Sequence, residues 1–121
     1  MSYHILIADD EPEILELYRL ILEPEKNFVV ELAKNGKEAV ERYIKMQKKP
    51  DIVIMDHRMP VKDGNQATKE ILSYNGNAKI IFASADSSVK DSALMIGAKD
   101  FLTKPFSIKV LIEHIKKILS E

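Results

Sequence analysis

Residues 50–56 read Pro50-Asp51-Ile52-Val53-Ile54-Met55-Asp56: a residue that ends helices, an aspartate, four uninterrupted apolar side chains, then a second carboxylate. An apolar run this short, entered at a proline, reads as a strand, and its lack of alternation means that both faces are covered. Such a strand belongs at the centre of a parallel sheet with helices on either side. Moving outward, Ile5-Leu6-Ile7-Ala8 runs into Asp9 and Asp10, Ile80-Ile81-Phe82-Ala83 into Ser84, and Phe101-Leu102-Thr103 into Lys104-Pro105. Parallel strands bring all these terminal side chains to one edge of the sheet, where open α/β sheets bind ligands.

The segments between the runs carry helical spacing. After the first strand, Ile14, Leu17, Tyr18 and Ile21 recur on one face, with Pro12 in the first turn, where no N–H is needed. Residues 28–32 form a short second strand, Asn35-Gly36 a turn, and Ala39, Val40, Tyr43 and Ile44 the stripe of a second helix. The loop 57–64, with Pro60 and Asp63-Gly64, precedes a weaker helix through Ala67, Ile71 and Leu72. Residues 89–96 form a short helix closed by Gly97 as a left-handed cap, and Asp100–Thr103 the fifth strand. Ile108, Leu111, Ile112, Ile115, Ile118 and Leu119 mark the last helix, with Lys116 and Lys117 near the negative end of its dipole. Strands alternating with helices imply right-handed crossovers and an α/β sheet covered on both faces. There is no repeat or linker, so residues 1–121 are read as one domain.

At 121 residues and 45% apolar content, the chain suits one domain that buries roughly two-thirds of its unfolded surface. A net charge of -1, from 18 basic and 19 acidic residues mixed along the chain, offers no basic face for nucleic acid and no acidic tail. Partners are therefore chosen at a local site. The absence of cysteine excludes a disulfide framework and thiol chemistry. No apolar stretch approaches the ~20 residues needed to span a membrane, and Met1-Ser2-Tyr3-His4 leads straight into a strand rather than a signal peptide. A cytoplasmic location is expected.

If Asp9, Asp10 and Asp56 meet within about 5 Å, each like-charge pair costs about 3 kcal/mol at an effective dielectric near 20. Positive charge has to collect there. Lys104 supplies one unit, and a hard divalent cation that takes carboxylate, carbonyl and water oxygens supplies more, Mg²⁺ above all with Mn²⁺ able to substitute. Carboxylates (-3), lysine (+1) and cation (+2) then sum to zero, so a phosphoryl group can enter without a large excess of negative charge. A carboxylate held in this way can attack phosphorus in line and become an acyl phosphate, with the Ser84 hydroxyl donating to a phosphoryl oxygen.

In this order the residues resemble the response-regulator receiver domain of two-component signalling, in its chemotaxis-type single-domain form. The marks are the acidic pair Asp9-Asp10, Asp56 closing Pro-Asp-Ile-Val-Ile-Met-Asp, Met59-Pro60 and Asp63-Gly64, Ser84, and Gly97-Ala98 through Lys104-Pro105-Phe106. The resemblance implies a five-stranded parallel, flavodoxin-like (βα)5 sheet in the order 2-1-3-4-5. It makes Asp56 the phosphoacceptor, Asp10 a direct Mg²⁺ ligand, Asp9 a ligand through water, and the Arg58 backbone carbonyl a further ligand. Lys104 would pair with the phosphoryl group across a cis bond to Pro105. Ser84 and Phe101 would be the switch pair, Ser84 moving toward the phosphoryl oxygen and Phe101 turning inward; tyrosine is common where Phe101 stands.

The implied donor is the phosphohistidine of a sensor histidine kinase or histidine phosphotransfer protein. The implied output is a face around the fourth helix, fifth strand and fifth helix, read by an unspecified partner and open to homodimerisation. The domain would catalyse only its own phosphorylation and hydrolysis. A Mg²⁺-dependent aspartate-nucleophile phosphohydrolase shares the chemistry, but its usual D-x-D is replaced by adjacent acids and a mid-chain nucleophile. A flavin-binding module would want a Ser/Thr/Gly-rich loop where Asp-Asp-Glu-Pro stands, and a pseudo-receiver would lack residues that are present. His4, His57 and His114 share no metal-ligand spacing. Arg58 and Asp86, each two residues past a site residue, are expected at the mouth, pairing across the phosphoryl group or with Arg58 touching it.

Overall fold

The computed structural model describes residues 2–25 and 27–121; Met1, at the start of the lead-in to the first strand, lies outside them. The elements run β1 (Tyr3–Ala8), α1 (Pro12–Leu22), β2 (Phe28–Ala33), α2 (Gly36–Lys45), β3 (Ile52–Asp56), α3 (Gly64–Tyr74), β4 (Ile80–Ser84), a 3-10 turn (Ser87–Val89), α4 (Lys90–Ile96), β5 (Asp100–Thr103) and α5 (Ile108–Leu119). All strand pairs are parallel, in the order β2-β1-β3-β4-β5. The α/β fold is as expected from the sequence pattern, and the 2-1-3-4-5 order is the one that the family resemblance implies. None of the described helices is long and apolar enough to cross a membrane.

The unbroken apolar runs are explained by a core on each side of the sheet. Ile5, Ile7, Ile52, Ile54, Ile81 and Leu102 pack with Tyr18 and Leu22 of α1 and Leu111, Ile115 and Ile118 of α5. The alternate residues Leu6, Val53, Met55, Ile80, Phe82 and Phe101 pack with Val40 and Tyr43 of α2, Ile71 of α3 and Ala93 of α4. Successive strand side chains point to opposite faces, so each strand needs apolar residues at both parities.

Local chemistry sets the helix boundaries. Pro12 begins α1. Asn35, expected in a turn, is instead the N-cap of α2, its Oδ1 accepting from the Glu38 N–H at 2.8 Å. Asp63 caps α3 on the Gln66 N–H at 2.9 Å, so this helix begins earlier than its weak stripe suggests. Gly97 closes α4 at φ 126°, a region that favours glycine. Three stripes differ from expectation. In α1 the buried residues are Leu15, Tyr18 and Leu22, while Leu17 is 50% exposed; in α5, Ile108 is 55% exposed. With Ile14, Tyr18, Phe106 and Leu111, they line an apolar groove of about 500 Å³ between α1 and α5. Ile44 of α2 is likewise exposed rather than part of a packed stripe.

Candidate functional site

Strand register and side-chain parity bring the candidate residues together. Ala8 lies beside Met55, Asp56 beside Ala83, and Ser84 beside Thr103, so four strands end at one level. Asp9 continues the row Ile5-Ile7, Asp56 the row Ile52-Ile54, and Lys104 follows Leu102, all on the side packed by α1 and α5. Ser84 instead continues the row of Ile80 and Phe82 on the α2–α4 side, which also holds Phe101.

On the first side the Lys104 ammonium donates to Asp56 Oδ1 at 2.6 Å and to Asp9 Oδ2 at 2.9 Å. Asp9 Oδ1 accepts the Glu11 N–H at 3.0 Å, so both its oxygens have protein partners. Only Oδ1 of Asp56 is engaged among the described residues. Asp10 completes the cluster from an exposed position, with one oxygen from each of the three carboxylates within 4.8 Å of the others. The sequence-level supposition of about 5 Å therefore holds for these side chains.

Electrostatics follow from this crowding. Burial raises the pKa of Asp56 against the opposing hydrogen bond from Lys104, with the charges of Asp9 and Asp10 adding to the rise. Burial also works against the Lys104 charge, but the hydrogen bonds and charges of Asp56 and Asp9 outweigh it and push its pKa up. The Tyr18 phenol, buried beside the same ions, is held well above its ordinary value chiefly by desolvation. Lys104 thus stays protonated at any ordinary pH, and burial works against the anionic form of Asp56.

The open cavity above these groups has a volume of about 580 Å³ and is lined by Asp10, Asp56, Arg58, Ser84, Asp86 and Lys104, among others. Ser84 is buried, and its Oγ accepts the Asp86 N–H at 3.0 Å. Phe101 is also buried and stacks on Phe82, with ring centroids 6.3 Å apart. The structure therefore places Phe101 inward. The Lys104–Pro105 peptide is cis.

Arg58 and Asp86 both reach the cavity rim, but the expected cross-mouth pair is not what the Asp86 carboxylate makes. Its Oδ1 accepts the Ser88 N–H at 3.0 Å and the Ser88 hydroxyl at 2.6 Å, capping the 3-10 turn. These bonds, with lesser help from the Arg58 charge, hold its carboxyl below the usual range. A local side-chain bond two residues away costs less ordering than an exposed ion pair across a cleft. Sequence reasoning missed this link, although Asp-Ser-Ser after a strand is a readable capping signal. It also missed the contact of His114 Nδ1 on α5 with Asp100 Oδ2 at 2.5 Å, for which the sequence carries no cue.

Comparisons with known proteins agree with this geometry. The family model described as "Response regulator receiver domain" matches residues 5–116. The chemotaxis protein CheY of Bacillus subtilis is 40% identical over 99% of this chain and 100% of its own length. The Thermotoga maritima CheY is 39% identical over 98% of both chains. Among solved structures, CheY in the CheX-CheY-BeF3-Mg complex from Borrelia burgdorferi superposes with a TM-score of 0.91 at 28% identity, covering 98% of this chain and 90% of that one. The Thermotoga maritima response regulator TrrA, in complex with Mg²⁺-BeF, gives 0.87 at 32% identity, over 97% and 99% of the two chains. Shared fold, matching length and a carboxylate cluster at the sheet edge all lead to one assignment: the chain belongs to the response regulator receiver domain family, as a CheY-like, chemotaxis-type receiver whose kind is phosphorylated on aspartate in two-component signalling.

Proposed function

We propose that this receiver takes a phosphoryl group from a partner's phosphohistidine onto Asp56 and passes the signal to a face formed by α4, β5 and α5. The observation that carries this reading is the Asp56 carboxylate, buried at the end of the central strand, tied through one oxygen to Lys104, and lining the cavity. An Asp56 oxygen attacks phosphorus, the P–N bond breaks, and the imidazole leaves. Lys104, already bonded to Asp56, is in reach of the negative charge that collects on the phosphoryl oxygens. Ser84 Oγ accepts from the Asp86 N–H, which leaves its own proton for a phosphoryl oxygen. A protein donor would meet the apolar α1–α5 groove, since Lys104 and Pro105 are among the residues that line it.

The donor set fits a hard divalent cation. Three carboxylates crowd within 4.8 Å, and one lysine leaves the cluster negative. Asp10 and Asp56 would bind Mg²⁺ directly, Asp9 through water because both its oxygens are already committed, and the Arg58 carbonyl would join them. When bound, Mg²⁺ would neutralise charge on the carboxylates and the transferring group. The structures of relatives that contain Mg²⁺ with a beryllium fluoride support this choice.

Incubation with acetyl phosphate and Mg²⁺, followed by intact mass measurement, tests the reading. One added phosphoryl group per chain is expected, and none when EDTA has removed the metal before the phosphodonor is added. Metal-independent labelling would refute it, while rapid release of phosphate from many esters would point to the hydrolase reading instead. Arg58 is assigned to the rim, touching the phosphoryl group and screening it from water. Removing its side chain (Arg58→Ala) is expected to speed loss of the label about threefold, the scale of one exposed charged contact; equal lifetimes would remove Arg58 from the gate.

A further inference from the structure

Two short links connect the Ser84 hydroxyl to the turn that starts α4. Ser84 Oγ accepts the Asp86 N–H at 3.0 Å, and Asp86 Oδ1 accepts the Ser88 N–H at 3.0 Å and the Ser88 hydroxyl at 2.6 Å. The 3-10 turn Ser87–Val89 then leads into Lys90 of α4 without a break, and the Val89 N–H returns to the Asp86 carbonyl at 3.3 Å. The other end of the segment is fixed, because the Ser84 carbonyl accepts the Lys104 N–H at 2.8 Å. Residues 85–88 are therefore a short strut, pinned at β4 and jointed at Asp86.

We propose that Asp86 is the positioning residue of this receiver: its carboxylate, acting as a hydrogen-bond acceptor for Ser88 rather than as a charge at the cavity mouth, makes the start of α4 move with the Ser84 hydroxyl. This rests on the reading of Ser84 as the hydroxyl that meets the phosphoryl group. A displacement of Ser84 Oγ carries the Asp86 N–H with it, and the carboxylate transmits that shift to Ser88. Phe101, packed inward on Phe82, lies on another strand and takes no part in the strut. The N–H bond received by Oγ also polarises the hydroxyl as a donor.

The acceptor role separates from a charge role by substitution. Asn keeps an oxygen at the capping position and caps about as well as Asp, whereas Ala removes it and lowers the population of the capped turn about fivefold. The experiment follows backbone amide NMR shifts of Ser87–Ala93 in the full chain on adding acetyl phosphate and Mg²⁺, scaled to the phosphorylated fraction from intact mass. The shift per phosphorylated molecule is expected to fall about fivefold in Asp86→Ala and to stay within about twofold of wild type in Asp86→Asn. Ser88→Ala, which keeps the N–H but loses the hydroxyl, falls between them. An Asp86→Ala response equal to wild type, or an Asp86→Asn response as weak as that of Asp86→Ala, overturns the proposal. Wild type that takes up no phosphoryl group overturns the functional reading and this inference together, whereas normal uptake with an unaltered α4 response in Asp86→Ala overturns the inference alone.

Discussion

Asp56→Asn is expected to take up no phosphoryl group from acetyl phosphate under conditions that label wild type fully, because the amide replaces the anionic oxygen that attacks phosphorus. Neither neighbour can take over. Asp9 has both oxygens committed to Lys104 and the Glu11 N–H, and Asp10 is exposed at the edge of the cluster. The same substitution has a second, opposite consequence for stability. A carboxyl whose folded-state pKa lies above its unfolded value binds its proton more tightly when folded, so stability falls as pH rises from the unfolded value through the raised one. Burial raises Asp56 in this way, so at neutral pH its charge opposes folding, and the neutral amide should melt at a higher temperature than wild type in metal-free buffer. Thermal scans should show Mg²⁺ stabilising wild type more than the variant. Labelling of Asp56→Asn at the wild-type level would rule out Asp56 as the acceptor.

Gly64→Ala should be the most damaging single methyl group in the site. A Cβ at Gly64 would lie 2.1 Å from the Asp56 carbonyl oxygen and 3.1 Å from the His57 Cα, both main-chain atoms without a side chain's freedom to turn away. Gly64 also donates its N–H to the His57 carbonyl at 2.8 Å, fixing the 57–64 loop against the end of β3. Relieving the clash moves either the start of α3 or the Asp56 peptide itself. We expect a loss of about 3 kcal/mol or more, on the order of 10 °C in Tm. Labelling should slow as well, because the acceptor is displaced. Gly76→Ala is the matched control, since its Cβ would meet only the Leu72 carbonyl at 3.9 Å. Denaturant titration of both variants checks the contrast; equal stabilities would mean that the loop yields freely.

Burial on both faces made the sheet readable, since it forces unbroken runs such as Ile52-Val53-Ile54-Met55, and the charged residues that end those runs then mark their own edge. What could not be read were directions and partners. Leu17 and Ile108 fit helical spacing as well as Leu15 and Leu111 do, and only the rotation of α1 and α5 against the sheet decides which pair is buried. Arg58 and Asp86 both line the cavity, but spacing cannot say where a carboxylate turns, and Ser88 offers Asp86 two donors close by. The weak stripe of α3 hid its start because capping by Asp63, rather than apolar content, begins that helix. Asp100 and His114 meet only in the folded chain.

The division of the sheet edge by side-chain parity has a consequence for how such a protein can change. Asp56 and Met55, or Ser84 and Ala83, differ by one step along the chain, yet belong to opposite sides of the sheet. A one-residue insertion within β3 or β4 would therefore exchange the reacting and sensing sides rather than weaken either one. Loops and helices can lengthen, shorten or drift in sequence while this odd-even assignment is kept, but the strands can gain or lose residues only in pairs.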